Sequence, residues 1–438
     1  MARTMTRSMF PTGPRAPGGP PLDGLVLRME SADIVGKSDG ETVAAADWPD
    51  QSGLGNGPVS GVGGVYKAAQ INGLAAVRFA GTNYYQCAAA NPTTTFTHVL
   101  VFKPTDHATN DVLLGGSDVD TLYADFISAG ILPYVSYPHD NGWLNSSVST
   151  TAGAWTAMQM MARRGVSAFP NAPEEAILHL LANGEYAGMS GFPNDPLTAT
   201  ALFIGALNAT PTNPYTGDLA AVFIYDRALS AAKTNALNAY LDSRYGLALK
   251  ADWVKQIVTV GDSIAGGSEA GNGSGFAAQI AAHFAPSDVY SLGFGIGYMG
   301  VQDLIDEAAT IDALLSAGMT NVLQVFVGTN DIVLRSRTGA ATYADLSAYC
   351  AARRSAGWKV VVSTVLPRST GQSEIDALNT SIRANWATFA DALVDAAADA
   401  SLDDNTDTNF FNADAVHPNT AGHGVLYGLF STATGGVL

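Results

Sequence analysis

Three polar residues in the second half of the chain have the types and spacing needed for nucleophilic catalysis. Ser263 follows the apolar run at residues 256–260 and stands in Gly-Asp-Ser, where a tight turn from strand to helix would expose its hydroxyl. A serine hydroxyl attacks a carbonyl only when a base removes its proton. His417 is the best candidate for that base, and Asp414, three residues ahead, can fix the imidazole tautomer and stabilise the imidazolium. These residues predict a catalytic triad for acyl transfer.

A fourth candidate follows the apolar run at residues 321–327. Asn330 stands there in Gly-Thr-Asn-Asp. An uncharged amide at a strand end can donate to the oxyanion of a tetrahedral intermediate, a contact worth about 10²- to 10³-fold in rate. Plainer readings stay open at this point: Asn330 as a turn residue with left-handed backbone, and Asp414 and His417 as ordinary loop residues.

The elements that must position these residues alternate between strand and helix. Apolar strands are predicted at residues 256–260, 288–292, 321–327 and 359–367, and helices around residues 276–284, 301–317, 343–356 and 375–400. This alternation predicts a parallel sheet covered by helices on both faces. Ligands of such sheets bind at the carboxyl ends of the strands, which is where the candidate residues stand.

The first half of the chain has a different rhythm. Short apolar runs separated by turn residues extend over residues 24–221, a pattern typical of an all-β sandwich. Asn183-Gly184 predicts a type I′ hairpin, because both positions of that turn need positive φ angles. A helix is predicted at residues 231–245, with Ser230 as its N-cap and Gly246 just past its end.

Two known families share these patterns. The motifs at residues 261–263, 328–331 and 414–418, in this order, resemble the SGNH hydrolases, also called GDSL-type esterases, over residues 256–430. The resemblance implies a flavodoxin-like α/β fold and an oxyanion hole that includes the N–H of Ser263. The first half resembles the concanavalin A-like, laminin-G-like jelly roll over residues 23–247. That resemblance rests on the turn, hairpin and helix patterns at residues 47–57, 183–188 and 223–245.

The oxyanion glycine of the SGNH pattern is the weakest match. Ser291 stands where the family usually has an asparagine, and several glycines follow it. Gly295 is the predicted second oxyanion donor, because backbone N–H donation needs close approach without a Cβ. Gly297 is the alternative, and a glycine turn without a catalytic role also stays open.

Length and composition limit the remaining possibilities. A chain of 438 residues exceeds one ordinary core. We therefore expect a flexible tail at residues 1–22, a jelly roll at residues 23–249 and a hydrolase domain at residues 252–438. The formal charge of −17 repels nucleic acid, so neutral glycans or esters are easier partners.

Cysteine and histidine spacing indicates neither a disulfide framework nor a metal. Cys87 and Cys350 fall in different predicted domains, so both are expected to be packing residues. Five further histidines lack metal-ligand spacing with Cys, Asp or Glu: His98, His107, His139, His179 and His283. No cofactor is implied.

The basic, proline-rich start contains no apolar run long enough for a signal peptide, and no stretch is long enough to span a membrane. Localisation stays open, with a phage virion or a non-Sec export route as expectations. The combined domains predict a serine esterase that removes O-acetyl groups from a polysaccharide. Two alternatives stay open, a virion tail or attachment protein with an accessory esterase, and a lipid esterase. Homo-oligomer formation or virion assembly is also left open.

Overall fold

The computed structural model describes most of the chain, in which two regions differ in topology. The described residues are 18–90, 95–105, 111–116, 123–126, 133–136, 143–145, 151–165, 167–170, 172, 175–193, 201–271 and 273–438. Described strands before residue 250 pair antiparallel, and those after it pair parallel. The change in the sequence, from short apolar runs between turns to alternating strands and helices, therefore marks a change of topology.

The first region consists of antiparallel sheets. Its strands are β1 Leu25–Glu30, β2 Pro58–Val62, β3 Val65–Ile71, β4 Leu74–Ala80, β5 Tyr84–Ala90, β6 Phe96–Pro104, β7 Asp111–Val112, β8 Leu114–Gly116, β9 Tyr123–Phe126, β10 Pro133–Ser136, β11 Trp143–Asn145, β12 Thr156–Gly165, β13 Glu175–Ala182, β14 Glu185–Pro193, β15 Ala201–Ile204 and β16 Thr216–Tyr225. The largest sheet has the order β14-β13-β12-β6-β16-β4-β3, with β1 also beside β16. Two smaller sheets have the orders β2-β5-β15-β8 and β11-β10-β9-β7.

Side chains of the largest sheet and of the β2-β5-β15-β8 sheet fill one apolar core, which includes Phe79, Tyr85 and Leu202. The predicted hairpin is confirmed, since Asn183 and Gly184 join β13 to β14 with φ angles of 52° and 79°. This strand-rich architecture fits the expected sandwich, while the jelly-roll identity stays a prediction.

A helix covers the other face of the largest sheet. Helix α1 (Ala231–Tyr245) begins after Ser230 and ends at Gly246, whose φ of 67° is left-handed. Both predicted ends are confirmed. Apolar residues of this helix, such as Leu237 and Leu241, pack on the sheet in a second core.

The second region is the predicted parallel α/β fold. Its strands are β17 Lys255–Gly261, β18 Val289–Gly295, β19 Thr320–Phe326, β20 Lys359–Ser363 and β21 Ala392–Val394, and its helices are α2 Ser263–Gly266, α3 Phe276–Phe284, α4 Val301–Asp306, α5 Ala308–Asp312, α6 Thr329–Val333, α7 Gly339–Ala356, α8 Gln372–Asn385 and α9 Thr420–Gly435. The sheet order β18-β17-β19-β20-β21 is the flavodoxin-like order.

Two predicted helices were wrong in extent. The segment 301–317 forms two short helices, α4 and α5, because Glu307 leaves helical geometry between them. The segment 375–400 is not one helix: α8 ends at Asn385, and the chain returns to the sheet as β21. Three residues of strand are too few to show a period of two, so the alternation could not reveal β21.

The two regions share apolar packing. Met161 and Leu181 of the first region lie in the same buried cluster as Tyr290 and Leu292 of the second. Ile177 and other residues of the β13–β14 hairpin pack on α3. The domain boundaries expected near residue 250 stay a prediction, but the structure shows an extensive apolar contact across them.

Cys87 and Cys350 are buried free thiols, which confirms their packing role. Within the part of the chain that the structure describes, no helix is long and apolar enough to cross a membrane.

Candidate active site

The turn after β17 holds Ser263 at the start of α2. Gly261 has a φ of 149°, and a Cβ there would lie 1.9 Å from the carbonyl oxygen of Phe326 on the neighbouring strand. Only glycine therefore fits this position without displacing β19. Asp262 caps the short helix by accepting a hydrogen bond from Ile264 N at 3.0 Å. This cap is the physical reason for the aspartate before Ser263.

The structure brings together the three residues expected to form a triad. Ser263 Oγ lies 2.9 Å from His417 Nε2, and His417 Nδ1 lies 2.6 Å from Asp414 Oδ2. The second oxygen of Asp414 accepts from the backbone N–H groups of Val416 and His417 at 3.0 and 3.1 Å. One loop thus turns the carboxylate back onto the imidazole, as the three-residue spacing predicts.

Electrostatics favour an ionised Asp414. Burial opposes ionisation, but hydrogen bonds from the His417 ring and from backbone N–H groups outweigh it and lower the pKa of Asp414. The side chains of His417 and Asp414 are 21% and 41% exposed. The arrangement can therefore take a proton from Ser263 while solvent or a bulky substrate has access to it.

Two further ionisable side chains, those of Asp262 and Arg368, lie close enough to this array to affect its electrostatics. Asp262 is buried, and burial raises its pKa to about 7. Arg368 follows β20, donates to Thr329 Oγ1 at 2.7 Å and makes no ion pair with any described residue. Burial lowers the pKa of Arg368, while the charges of Asp262 and Asp414 oppose that shift. The sequence reasoning did not single out Arg368, because a lone arginine after a strand forms no motif.

Asn330 lies at the start of α6 and is buried. Its Nδ2 donates to the carbonyl of Met299 at 3.0 Å, which leaves the second amide hydrogen for another acceptor. The next residue, Asp331, accepts from Val301 N at 3.0 Å, and burial raises the pKa of this carboxyl. The loop after β18 is therefore tied to the Gly-Thr-Asn-Asp turn through two side chains.

The glycines after β18 lie where that loop begins. A Cβ on Gly295 would lie 2.3 Å from Gly266 N, so this glycine permits close packing of β18 against α2. Ile296 N donates to Gly261 O at 3.0 Å, which places the next residue, Gly297, beside the turn that holds Ser263. Gly297 is buried. The choice between Gly295 and Gly297 as oxyanion donor stays a prediction.

The other histidines that the structure describes take no part in this array. His98, His179 and His423 are buried, and His283 contacts Tyr427 through a hydrogen bond. His107 and His139 lie outside the described residues. Among the residues that the structure describes, no three His, Cys, Asp or Glu side chains form a group that could hold a metal ion.

Comparison with known proteins supports the family of the second region. Residues 259–425 match the model of the GDSL-like Lipase/Acylhydrolase family. No curated protein matches the chain.

Solved structures that are similar to this chain include TesA, which is 20% identical; the match covers 42% of this chain and 100% of that one, with a TM-score of 0.37. Another is a lipolytic G-D-S-L family protein of Veillonella parvula, which is 19% identical; the match covers 41% of this chain and 96% of that one, with a TM-score of 0.35. A third is Axe2, an acetyl-xylooligosaccharide esterase of Geobacillus, which is 17% identical; the match covers 41% of this chain and 94% of that one, with a TM-score of 0.35. Likeness at this level carries no information about substrate. The family match covers the motifs around Ser263, Asn330 and His417, and the C-terminal region is therefore a GDSL-type, or SGNH, hydrolase domain.

Proposed function

We propose that this protein is a serine esterase that removes O-acetyl groups from a polysaccharide, with Ser263, His417 and Asp414 as its triad. The observation that carries the proposal is the continuous hydrogen-bonded path from Ser263 Oγ through both nitrogens of His417 to Asp414. A nucleophile, a base and an orienting carboxylate in this order are the requirements of acyl transfer.

The reaction has two halves. Ser263 Oγ attacks the acyl carbonyl carbon while His417 Nε2 takes its proton, and the imidazolium then protonates the departing sugar oxygen. Water, deprotonated by His417, then attacks the acyl-enzyme. The bond between the acyl carbon and Ser263 Oγ breaks, the imidazolium returns its proton to Oγ, and acetate leaves. The free amide hydrogen of Asn330 and the N–H groups of Ser263 and Gly295, with Gly297 as the alternative glycine, hold the oxyanion in both halves.

A glycan ester suits the surroundings of this array. The partial exposure of His417 and Asp414 leaves room for a bulky alcohol such as a sugar. The net charge of −17 disfavours polyanions and accommodates neutral sugars. The antiparallel region beside the hydrolase domain supplies further surface for a polymer.

Acetate release from a panel of acetylated polysaccharides, together with fatty-acid release from a triglyceride, tests this function. We expect release from at least one polysaccharide, and Ser263→Ala should reduce it by at least about 10³-fold, since the nucleophile is lost. The matched control is Ser347→Ala, at a partly exposed site on α7, which should keep full activity. A chelator should have no effect, and strong inhibition would indicate a metal-dependent deacetylase.

The other outcomes separate the alternatives. Activity on the triglyceride alone would favour a lipid esterase. A well-folded protein that cleaves no ester but binds a glycan would favour a virion attachment or structural protein. Full activity of Ser263→Ala would show that the nucleophile lies elsewhere.

A further inference from the structure

A short segment of the first region contacts the loop that follows β18 in the candidate active site. Ser167 follows the end of β12 and is buried. Its Oγ accepts from Arg335 Nη2 at 2.7 Å and lies 3.0 Å from the carbonyl oxygen of Tyr298 and 3.1 Å from Asp303 Oδ2. The next N–H, that of Ala168, donates to Asp303 Oδ1 at 3.1 Å. This segment is therefore fixed to the second region by a buried polar network.

The segment meets the loop at residues 296–300, which we call the β18 loop. The same loop carries Gly297, and Asn330 holds the carbonyl of Met299 within it. This loop begins beside the turn that holds Ser263, because Ile296 N donates to Gly261 O. Contact with the β18 loop therefore brings the first region to the loop that carries the candidate oxyanion glycine, at the edge of the candidate site.

Two aromatic rings from different regions meet at this edge. Phe169 and Tyr298 have their ring centroids 6.1 Å apart and their planes 14° apart, an offset stack. The Tyr298 side chain is 38% exposed, and Phe169 is partly exposed. The two rings thus offer solvent a joint apolar surface beside the β18 loop.

Tyr298 is also held in an unfavourable backbone conformation. Its φ of 63° is left-handed, which is unusual for a bulky residue and costs free energy. Its carbonyl receives a hydrogen bond from Arg335, and Gly300 N next to it is bound by Asp303. An exposed aromatic ring kept in a strained position by several buried contacts points to a use for that ring.

We propose that Phe169 and Tyr298 together form a sugar-binding subsite, shared between the two regions, on which a pyranose ring of the substrate packs next to the scissile ester. The proposal rests on the proposed glycan esterase function and adds a location and a ligand class to it. A pyranose presents a face of C–H groups, and covering that face with an aromatic surface removes apolar area from water. Neither ring brings a charge, which suits a neutral sugar.

Two esters that differ in the presence of a sugar ring test the subsite. Glucose pentaacetate carries the ring, and ethyl acetate does not; p-nitrophenyl acetate is avoided because its own ring could stack. For Phe169→Ala and Tyr298→Ala, we expect the loss of kcat/KM on glucose pentaacetate to exceed the loss on ethyl acetate by about fivefold to tenfold, mainly through KM. Tyr298→Phe keeps the ring and should retain most of the sugar preference.

A matched control comes from a second aromatic pair in the first region. The rings of Tyr84 and Phe203 have their centroids 6.2 Å apart, and both residues belong to the β2-β5-β15-β8 sheet rather than to the hydrolase domain. Tyr84→Ala should leave the ratio of the two activities unchanged. Thermal melting of each variant separates a folding defect from a binding defect, because unfolding lowers both activities equally.

The outcomes also separate this proposal from the proposed glycan esterase function on which it rests. Wild-type protein that cleaves ethyl acetate but no acetylated sugar would overturn both. Wild-type protein that cleaves both esters, with equal losses on the two in Phe169→Ala and Tyr298→Ala, would overturn the subsite and leave the esterase function standing.

Discussion

Two histidines, one from each region of the molecule, are held in opposite ways. In the first region, His179 is buried, and neither of its ring nitrogens has a hydrogen-bond partner among the described residues. Burial lowers the pKa of this imidazole to about 3, which keeps it neutral. In the second region, His417 is partly exposed and both of its nitrogens are hydrogen bonded. An imidazole can act as a base only in the second kind of environment, so the surroundings distinguish the two histidines.

Topology explains why such an environment forms in one region. Antiparallel strands send successive loops to opposite ends of a sheet, which disperses the polar residues that follow them. Parallel strands send every carboxyl end to the same edge. Residues after β17, β18, β19 and β20, including Ser263, Asn330 and Arg368, therefore meet at one edge of the second region. The parallel sheet therefore gathers at one edge the polar residues that antiparallel sheets place at opposite ends.

The largest effect should come from the residue that orients His417. In Asp414→Asn the amide can no longer fix the required tautomer or stabilise the imidazolium, so kcat should fall by about 10³- to 10⁴-fold. Steady-state kinetics on ethyl acetate measure this loss, and the melting temperature checks that the loop has stayed folded.

Asp404→Asn is the matched control for that variant. Asp404 lies ten residues before Asp414, and among described residues its side chain accepts hydrogen bonds only from Thr406. Its replacement should therefore leave kcat within about twofold. A drop of less than about tenfold in Asp414→Asn would show that the carboxylate is a loop residue rather than part of the triad.

A smaller but still large effect should follow from separating the two regions. If the first region only localises the enzyme on a polymer, a fragment from about residue 252 should hydrolyse small esters nearly as well as the whole chain. The shared cluster around Met161, Leu181 and Tyr290 leads to a different expectation, because the fragment would expose that surface to water. We expect it to aggregate or to lose more than about tenfold of its activity.

Co-expression of residues 23–249 with the fragment provides the control. If packing is the cause, the two pieces should associate and recover activity on ethyl acetate. A fragment that is monomeric, melts like the whole chain and is fully active would instead return the first region to the role of a separate binding or attachment module.

The local parts of this structure could be predicted from the sequence. The Asn183-Gly184 hairpin, the ends of α1 and the turn at Ser263 depend on residues within a few positions of each other. The strand β21 could not be predicted, because it is defined by pairing with β20 rather than by its own three residues.

The same limit applies to the site. The spacing of Asp414 and His417 shows that one loop can join them, and the structure brings Ser263 to that loop. Arg368 and the stack of Phe169 on Tyr298 have no sequence pattern, since each depends on contacts between distant segments. Short motifs therefore mark Ser263, Asp414 and His417, whereas Arg368 and the Phe169–Tyr298 stack depend on long-range contacts.

The smallest expected effect concerns stability rather than activity, and it contrasts one buried carboxyl from each region. In the first region, hydrogen bonds from Arg78 and Lys103 outweigh burial and lower the pKa of Asp218. In the second region, burial dominates at Asp262 and raises its pKa to about 7. The native state therefore favours the ionised form of Asp218 and the protonated form of Asp262.

These shifts make the two carboxyls respond to pH with opposite signs. Between its ordinary pKa of 3.8 and about 7, Asp262 holds more protons in the native than in the unfolded state, so its contribution to stability, complete below pH 3.8, is lost as pH rises to about 7. The contribution of Asp218 is instead present above its ordinary pKa and is lost as pH falls through its native pKa. Each pKa unit corresponds to about 1.4 kcal/mol.

Urea unfolding at about pH 4 and about pH 7 measures the difference. Asp262→Asn keeps the helix cap, because asparagine caps as well as aspartate, and it removes the titration. The free energy of unfolding of the wild-type protein, relative to this variant, should therefore decrease from the lower to the higher pH. Asp218→Asn, the matched control from the first region, should not remove that decrease. If wild type and Asp262→Asn change in parallel between the two pH values, Asp262 is ionised throughout, and hydrogen bonding at the helix cap outweighs burial in the second region as it does at Asp218 in the first.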